Sequence, residues 1–216
     1  MLYDPAKRFI FIHIWKTGGE SVTAALKQAC PIYFSNRYIN KAIRLAPGPA
    51  SAALGWRAQL VAGQHFTADE IRQVMPPSDF EEAFKFAFVR NPWDWQVSNY
   101  FYALQTKAHS QHAVLHELGS FDAYIRYQYE QKAPSQSSFL NDKSGNSLVN
   151  YVGRFERLAE DFQVICDEVG VKASLPHLNA SKRQRDWRSY YTDETKALVG
   201  ELFRCDIDAF GYSWDG

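Results

Sequence analysis

The chain has 216 residues, enough for one sizeable domain, and its 46% hydrophobic, 15% aromatic and 22% charged composition is that of a globular protein with a core. Its 24 basic and 24 acidic side chains give zero formal charge, which argues against non-specific attraction to nucleic acid or an anionic membrane and leaves room only for a local basic pocket. No apolar run reaches the length of a membrane span and no signal-peptide pattern opens the sequence; Cys30, Cys166 and Cys205 are scattered and read as reduced thiols, so a cytoplasmic setting is expected.

In chain order, residues 9–14 (FIFIHI) read as a buried strand and residues 19–30 as the helix behind it. IYFS at 32–35 fits a second strand, and the Ala-, Gly- and Pro-rich stretch 46–55 a loop or insert. Residues 58–66 read as a strand, followed by a short helix that Thr67 caps and Pro76-Pro77 ends. FKFAFVR at 84–90 is a further strand, and Pro92 suits the first turn of the helix after it. Trp93, Val97, Tyr100/Phe101 and Leu104 recur at helical spacing. Residues 121–131 read as helix, 133–147 as polar loop, 151–156 as a late strand with an amphipathic helix behind it, and 192–212 as one closing helix with a turn. Strands alternating with helices, with no repeat or linker, predict a single α/β domain over 1–216 with a mostly parallel central sheet covered by helices on both faces.

The motif with most chemistry is KTGGES at 16–21, a turn from a strand into a helix N-terminus. Such a turn gathers unpaired backbone N–H groups, and glycine lets a ligand approach them. Lys16 adds a charge, Thr17 and Ser21 add hydroxyls, and Gly18 and Gly19 open the backbone; the stretch describes an anion site for a phosphate. Lysine precedes the glycines, whereas the nucleotide-phosphate loop G-x-x-x-x-G-K-[ST] puts it after them. A ligand-free glycine turn is the bland alternative. Arg90 stands at the end of a predicted strand, where open α/β sheets bind ligands, and Ser98 follows about two helical turns on; together they can hold a second phosphate. The bland alternative there is an Arg90 paired with Asp94.

HIWKTGGESV with FVRNPWDWQVSNYF resembles the two nucleotide-binding motifs of sulfotransferases that use 3′-phosphoadenosine 5′-phosphosulfate. QSSFL, YVGRFERLAEDFQVICDEVGV and LPHLNASKR extend the resemblance to the carbohydrate, Golgi-type family 2 branch and its bacterial relatives, from about residue 9 to the final FGY. The resemblance implies a three-layer fold like that of P-loop NTPases. It implies a 5′-phosphosulfate held by Lys16, Thr17, Gly18, Gly19, Glu20, Ser21 and Val22, and a 3′-phosphate held by Arg90 and Ser98. Ser181, Lys182 and Arg183, in the densest basic run, become candidate 3′-phosphate contacts. It further implies adenosine 3′,5′-bisphosphate as product, no metal, and a small-molecule or carbohydrate acceptor. Three positions depart from the pattern: Trp15 stands where relatives usually have proline, Glu20 where they have threonine, and Trp95 where arginine is common.

Sulfuryl transfer to an alcohol needs a base, and histidine suits it. His65, at a strand end before a helix, is the first candidate, and Glu20 the rival. His13 reads as a core residue, His109, His112 and His116 as a solvated face, and His177 as a positioning residue by resemblance. Trp56, Trp93, Tyr100 and Tyr102 are aromatics that can stack on a sugar or pack in the core. The alternatives are an ATP- and Mg²⁺-dependent small-molecule kinase on the same scaffold and a non-catalytic nucleotide-binding relative. No nucleic-acid partner is expected, and the oligomeric state is not encoded in any motif.

Overall fold

The computed structural model describes residues 1–6, 8–30, 56, 65–176 and 186–215. The expected strand at 32–35, residues 58–64 of the strand expected at 58–66, the insert at 46–55, His177, Ser181, Lys182 and Arg183 lie outside them, and the described end of the 58–66 strand, His65 and Phe66, is not in strand geometry. The chain divides into two compact units, Met1–Val89 with Ser138–Leu178 and Arg90–Ser137 with Asn179–Gly216.

The first unit is built on a four-stranded sheet in the order β1 (Leu2–Asp4), β2 (Phe9–Ile12), β3 (Phe84–Val89), β4 (Tyr151–Arg154). β2, β3 and β4 run parallel, with Phe11 opposite Phe86 and Phe88 opposite Gly153. β1 is antiparallel to β2 and is absent from the sequence reading, three residues being too few for a periodic signal. Helix α1 (Gly19–Ala29) follows β2 as expected. Then come α2 (Ala68–Val74) and α3 (Pro77–Glu82), and after β4 comes α7 (Leu158–Glu168).

Alternate residues of β2 and β3 (Phe9, Phe11, Phe86 and Phe88) form one core with Val22 and Leu26 of α1 and Phe162 and Ile165 of α7. This is burial of period-2 and period-3.6 apolar stripes against each other. Gly153 is needed there, because a Cβ would lie 2.5 Å from the Phe88 ring. Pro76-Pro77 does end α2, and Pro77 also begins α3, a helix missed from sequence. Lys85, 7% exposed on β3, donates from Nζ to the carbonyls of Phe80 (2.9 Å) and Ala83 (2.7 Å) and so caps the end of α3.

The second unit is helical: α4 (Pro92–Gln105), α5 (His112–Leu118), α6 (Phe121–Glu130), α8 (Asp193–Leu202) and α9 (Arg204–Phe210). The single closing helix expected from sequence is two. Phe203 leaves helical geometry at φ −108° and ψ 28°, fully buried with its ring 5.6 Å from that of Trp95. Trp95, the departure from arginine, is thus a core residue of this unit, 1% exposed. Trp93 and Tyr100 are buried too, whereas Tyr102 is 40% exposed. Residues 133–147 are loop as expected, apart from a 3-10 turn at Ser137–Phe139 and a bridge between Asn141 and Ser147, and within them Gln136 is fully buried.

Candidate functional site

β2 ends at Ile12, and His13 and Ile14 continue buried into the turn. Lys16 then takes a positive φ of 61° and Gly18 one of 82° before α1 begins at Gly19. The left-handed conformation costs a non-glycine residue about 1 kcal/mol, and such strain collects at functional turns. Thr17 is fully buried, and its hydroxyl donates to the Ile14 carbonyl at 2.9 Å. Its single proton is engaged with that carbonyl in closing the turn.

The amide set also narrows. The N–H groups of Ser21 and Val22 both donate to the Gly18 carbonyl, at 3.1 and 3.2 Å, and the Val22 side chain belongs to the core. Those of Thr17, Gly18 and Gly19 have no partner among the described residues. The Ser21 hydroxyl is likewise unengaged among them, and Glu20 is exposed on the first turn of α1. Three consecutive N–H donors at a helix start, beside a lysine, suit an anion.

The glycines have a second use that sequence did not reveal. A Cβ on Gly19 would overlap the ring of His13, and one on Gly18 would come within 2.8 Å of Leu158 Cδ2. His13 is 4% exposed, stacks on Phe11 at 5.5 Å, and is held by burial far below the usual histidine range, at about 3. It is a neutral core residue, as expected, and it also supports the underside of the turn.

His65 stands in the same unit, its ring 4.9 Å from that of His13 and edge-on to Trp15 at 5.9 Å. Its Nδ1 lies 2.8 Å from the His13 carbonyl oxygen. A carbonyl can only accept, so Nδ1 carries the proton and Nε2 holds a lone pair with no partner among the described residues. Burial lowers its pKa, partly offset by that hydrogen bond, so the ring is neutral near pH 7. Two residues on, Thr67 and Glu70 form a reciprocal capping box that fixes the start of α2. Trp15, the departure from proline, packs edge-on against Phe139 at 4.9 Å.

In the second unit, Arg90 is 5% exposed, and its Nε and Nη2 donate to Asp94 Oδ2 at 2.7 and 2.6 Å. The pairing with Asp94 raised from sequence is present. The hydroxyl of Ser98, a residue 6% exposed on α4, has no hydrogen-bond partner among the described residues. Asn91 caps α4 by accepting the Trp93 N–H at 3.1 Å. His112 Nδ1 donates to the Ala103 carbonyl at 2.9 Å, and its ring lies 4.5 Å from that of His116. No group of three metal-ligating side chains occurs among the described residues.

No curated protein matches the chain. The profile described as the Sulfotransferase family matches residues 1–213, nearly the whole length. A match of that extent, over both the turn at 16–21 and the segment at 88–101, makes this chain a member of the sulfotransferase family, whose chemistry is sulfuryl transfer.

Proposed function

We propose that this protein transfers a sulfuryl group from 3′-phosphoadenosine 5′-phosphosulfate to an acceptor hydroxyl, on a carbohydrate, without a metal. The reading covers 1–216 as one sulfotransferase domain on a three-layer, P-loop-like scaffold in the cytoplasm. The observation that carries it is the turn after β2: a left-handed Lys16 followed by three N–H groups, at the start of α1, that have no partner among the described residues. Family membership supports the reaction class.

The donor supplies a sulfuryl group already activated on a phosphate. The N–H groups of Thr17, Gly18 and Gly19 and the Ser21 hydroxyl hold the 5′ end. Lys16 neutralises the charge that develops on the bridging oxygen as the S–O bond breaks, a fixed cation acting where charge appears. In this mechanism lysine leads the glycines so that it stands at the strand end, beside the leaving group. Arg90 and Ser98 hold the 3′-phosphate, Ser98 by a hydroxyl with no partner among the described residues. Ser181, Lys182 and Arg183 add contacts to it. His65 Nε2 takes the hydroxyl proton as the acceptor oxygen attacks, its tautomer held by the His13 carbonyl. Glu20, exposed on the first turn of α1, is the weaker candidate base.

The test is a thermal-shift comparison. Adenosine 3′,5′-bisphosphate in the presence of a chelator raises the Tm, and Mg-ATP does not. A response to Mg-ATP alone overturns the reading in favour of a kinase. Bisphosphate binding with no sulfated product across a carbohydrate panel overturns the catalytic part.

A further inference from the structure

The ladder between β3 and β4 ends where Val89 pairs with Arg154. Arg90 is therefore the first residue of this strand to need hydrogen bonds from elsewhere, and it finds them in one side chain. Gln136 Oε1 accepts the Arg90 N–H at 2.8 Å, and Gln136 Nε2 donates to the Arg90 carbonyl at 2.8 Å. A carboxamide bonded at both ends to one residue's peptide groups acts as a neighbouring strand would, and fixes both height and rotation of that residue.

Gln136 is held in turn. Its backbone N–H donates to Asp206 Oδ2 and that of Ser137 to Asp206 Oδ1, each at 2.7 Å. Gln136 and Asp206 are both fully buried. A buried carboxylate accepting two N–H groups is a rigid support, because leaving any member unpaired away from water is costly. Asp206 reaches this place from α9, just past the break at Phe203 that divides the closing helix. The Arg90 guanidinium meanwhile donates to Asp94 Oδ2. The arginine is gripped by its main chain and by its side chain, through residues 46 positions away on one side and four on the other.

We infer that Gln136 and Asp206 are positioning residues for Arg90, setting the guanidinium that selects the 3′-phosphate of the donor nucleotide. The inference rests on the role proposed above for Arg90. A guanidinium recognises a phosphate through directed, paired N–H donors, so a tilt of its main chain costs recognition without removing any charge.

The experiment measures dissociation constants for adenosine 3′,5′-bisphosphate and for adenosine 5′-phosphate with wild type, Gln136→Met and Asp206→Asn. The ratio of the two constants reports 3′-phosphate selectivity and is unaffected by a loss of folded protein, which weakens both ligands alike. Both variants are expected to cut that ratio about tenfold, the scale of one buried hydrogen bond lost. In an Arg90→Ala background Gln136→Met is expected to reduce it no further, since the side chain it positions is gone. An unchanged ratio in both single variants, including equal loss of both ligands, overturns the positioning role. So does a further reduction in the Arg90→Ala background. Wild-type protein that does not distinguish the two nucleotides overturns instead the assignment of Arg90 to the 3′-phosphate.

Discussion

Lys16 combines a charge with a backbone conformation that disfavours its own side chain, at φ 61°. Glycine tolerates that conformation, so charge and strain can be separated by one substitution. Lys16→Gly is expected to abolish turnover while stability stays level or rises by about 1 kcal/mol. Urea titration beside a sulfation assay checks it, and a strongly destabilised variant would show the turn to need lysine for folding. His65 makes a second residue-scale prediction. Burial lowers its pKa, so the neutral, base-competent form persists below the ordinary histidine value of 6.5. The acidic limb of kcat/KM is expected below pH 6.5 and to vanish with residual activity in His65→Ala, which should keep binding adenosine 3′,5′-bisphosphate. A limb in His65→Ala identical to wild type would assign it to another group. Sequence made these two residues legible because each lies at a junction of apolar strand and helix signal. What holds them was not legible: the His13 carbonyl is 52 residues from His65, and no local pattern encodes that contact.

Among elements, α2 shows how a short helix serves the residue before it. Seven residues are too few for intrinsic stability, and the Thr67–Glu70 box supplies the start. Thr67→Ala is expected to cost about 1 kcal/mol and to lower kcat more than donor affinity, because His65 lies two positions upstream. Thermal melts and separate kcat and KM measurements check it; a change confined to donor KM would sever the link. The box was readable as T-x-x-E, as were the Pro92 start of α4 and the strands at 9–12 and 84–89. The division of the last helix was not, since its helical periodicity runs on through Phe203 and only burial against Trp95 marks the break. Gln136 was unreadable for a related reason. A glutamine among serines looks solvated until the Arg90 main chain is there to receive it.

For the molecule as a whole, buried histidine lowers stability on the acid side. His13 has a pKa of about 3 when folded against an ordinary value of 6.5, chiefly through burial. Below pH 6.5 the unfolded chain takes up a proton that the folded protein refuses, so this contribution is full above 6.5 and falls away toward 3. Each pH unit in that window removes about 1.4 kcal/mol, and His65 acts in the same direction. Denaturant midpoints measured between pH 6.5 and 5, above the carboxylate range, are expected to decline, and a flat profile would place His13 in contact with water. The α/β class and the parallel pairing of three strands were readable from alternation of apolar runs and helical stripes. The division into a sheet-bearing and a helical unit was not, because Val89 and Arg90 are adjacent in sequence and no linker separates them.

One residue joins the two halves of the proposed chemistry. The ring of His13 fills the space a side chain at position 19 would need, and its carbonyl orients the imidazole of His65. In the proposed mechanism, leaving-group support and proton removal are therefore both keyed to this one residue. Natural variation at position 13 is for that reason expected to move donor grip and proton abstraction in step, as one inherited trait.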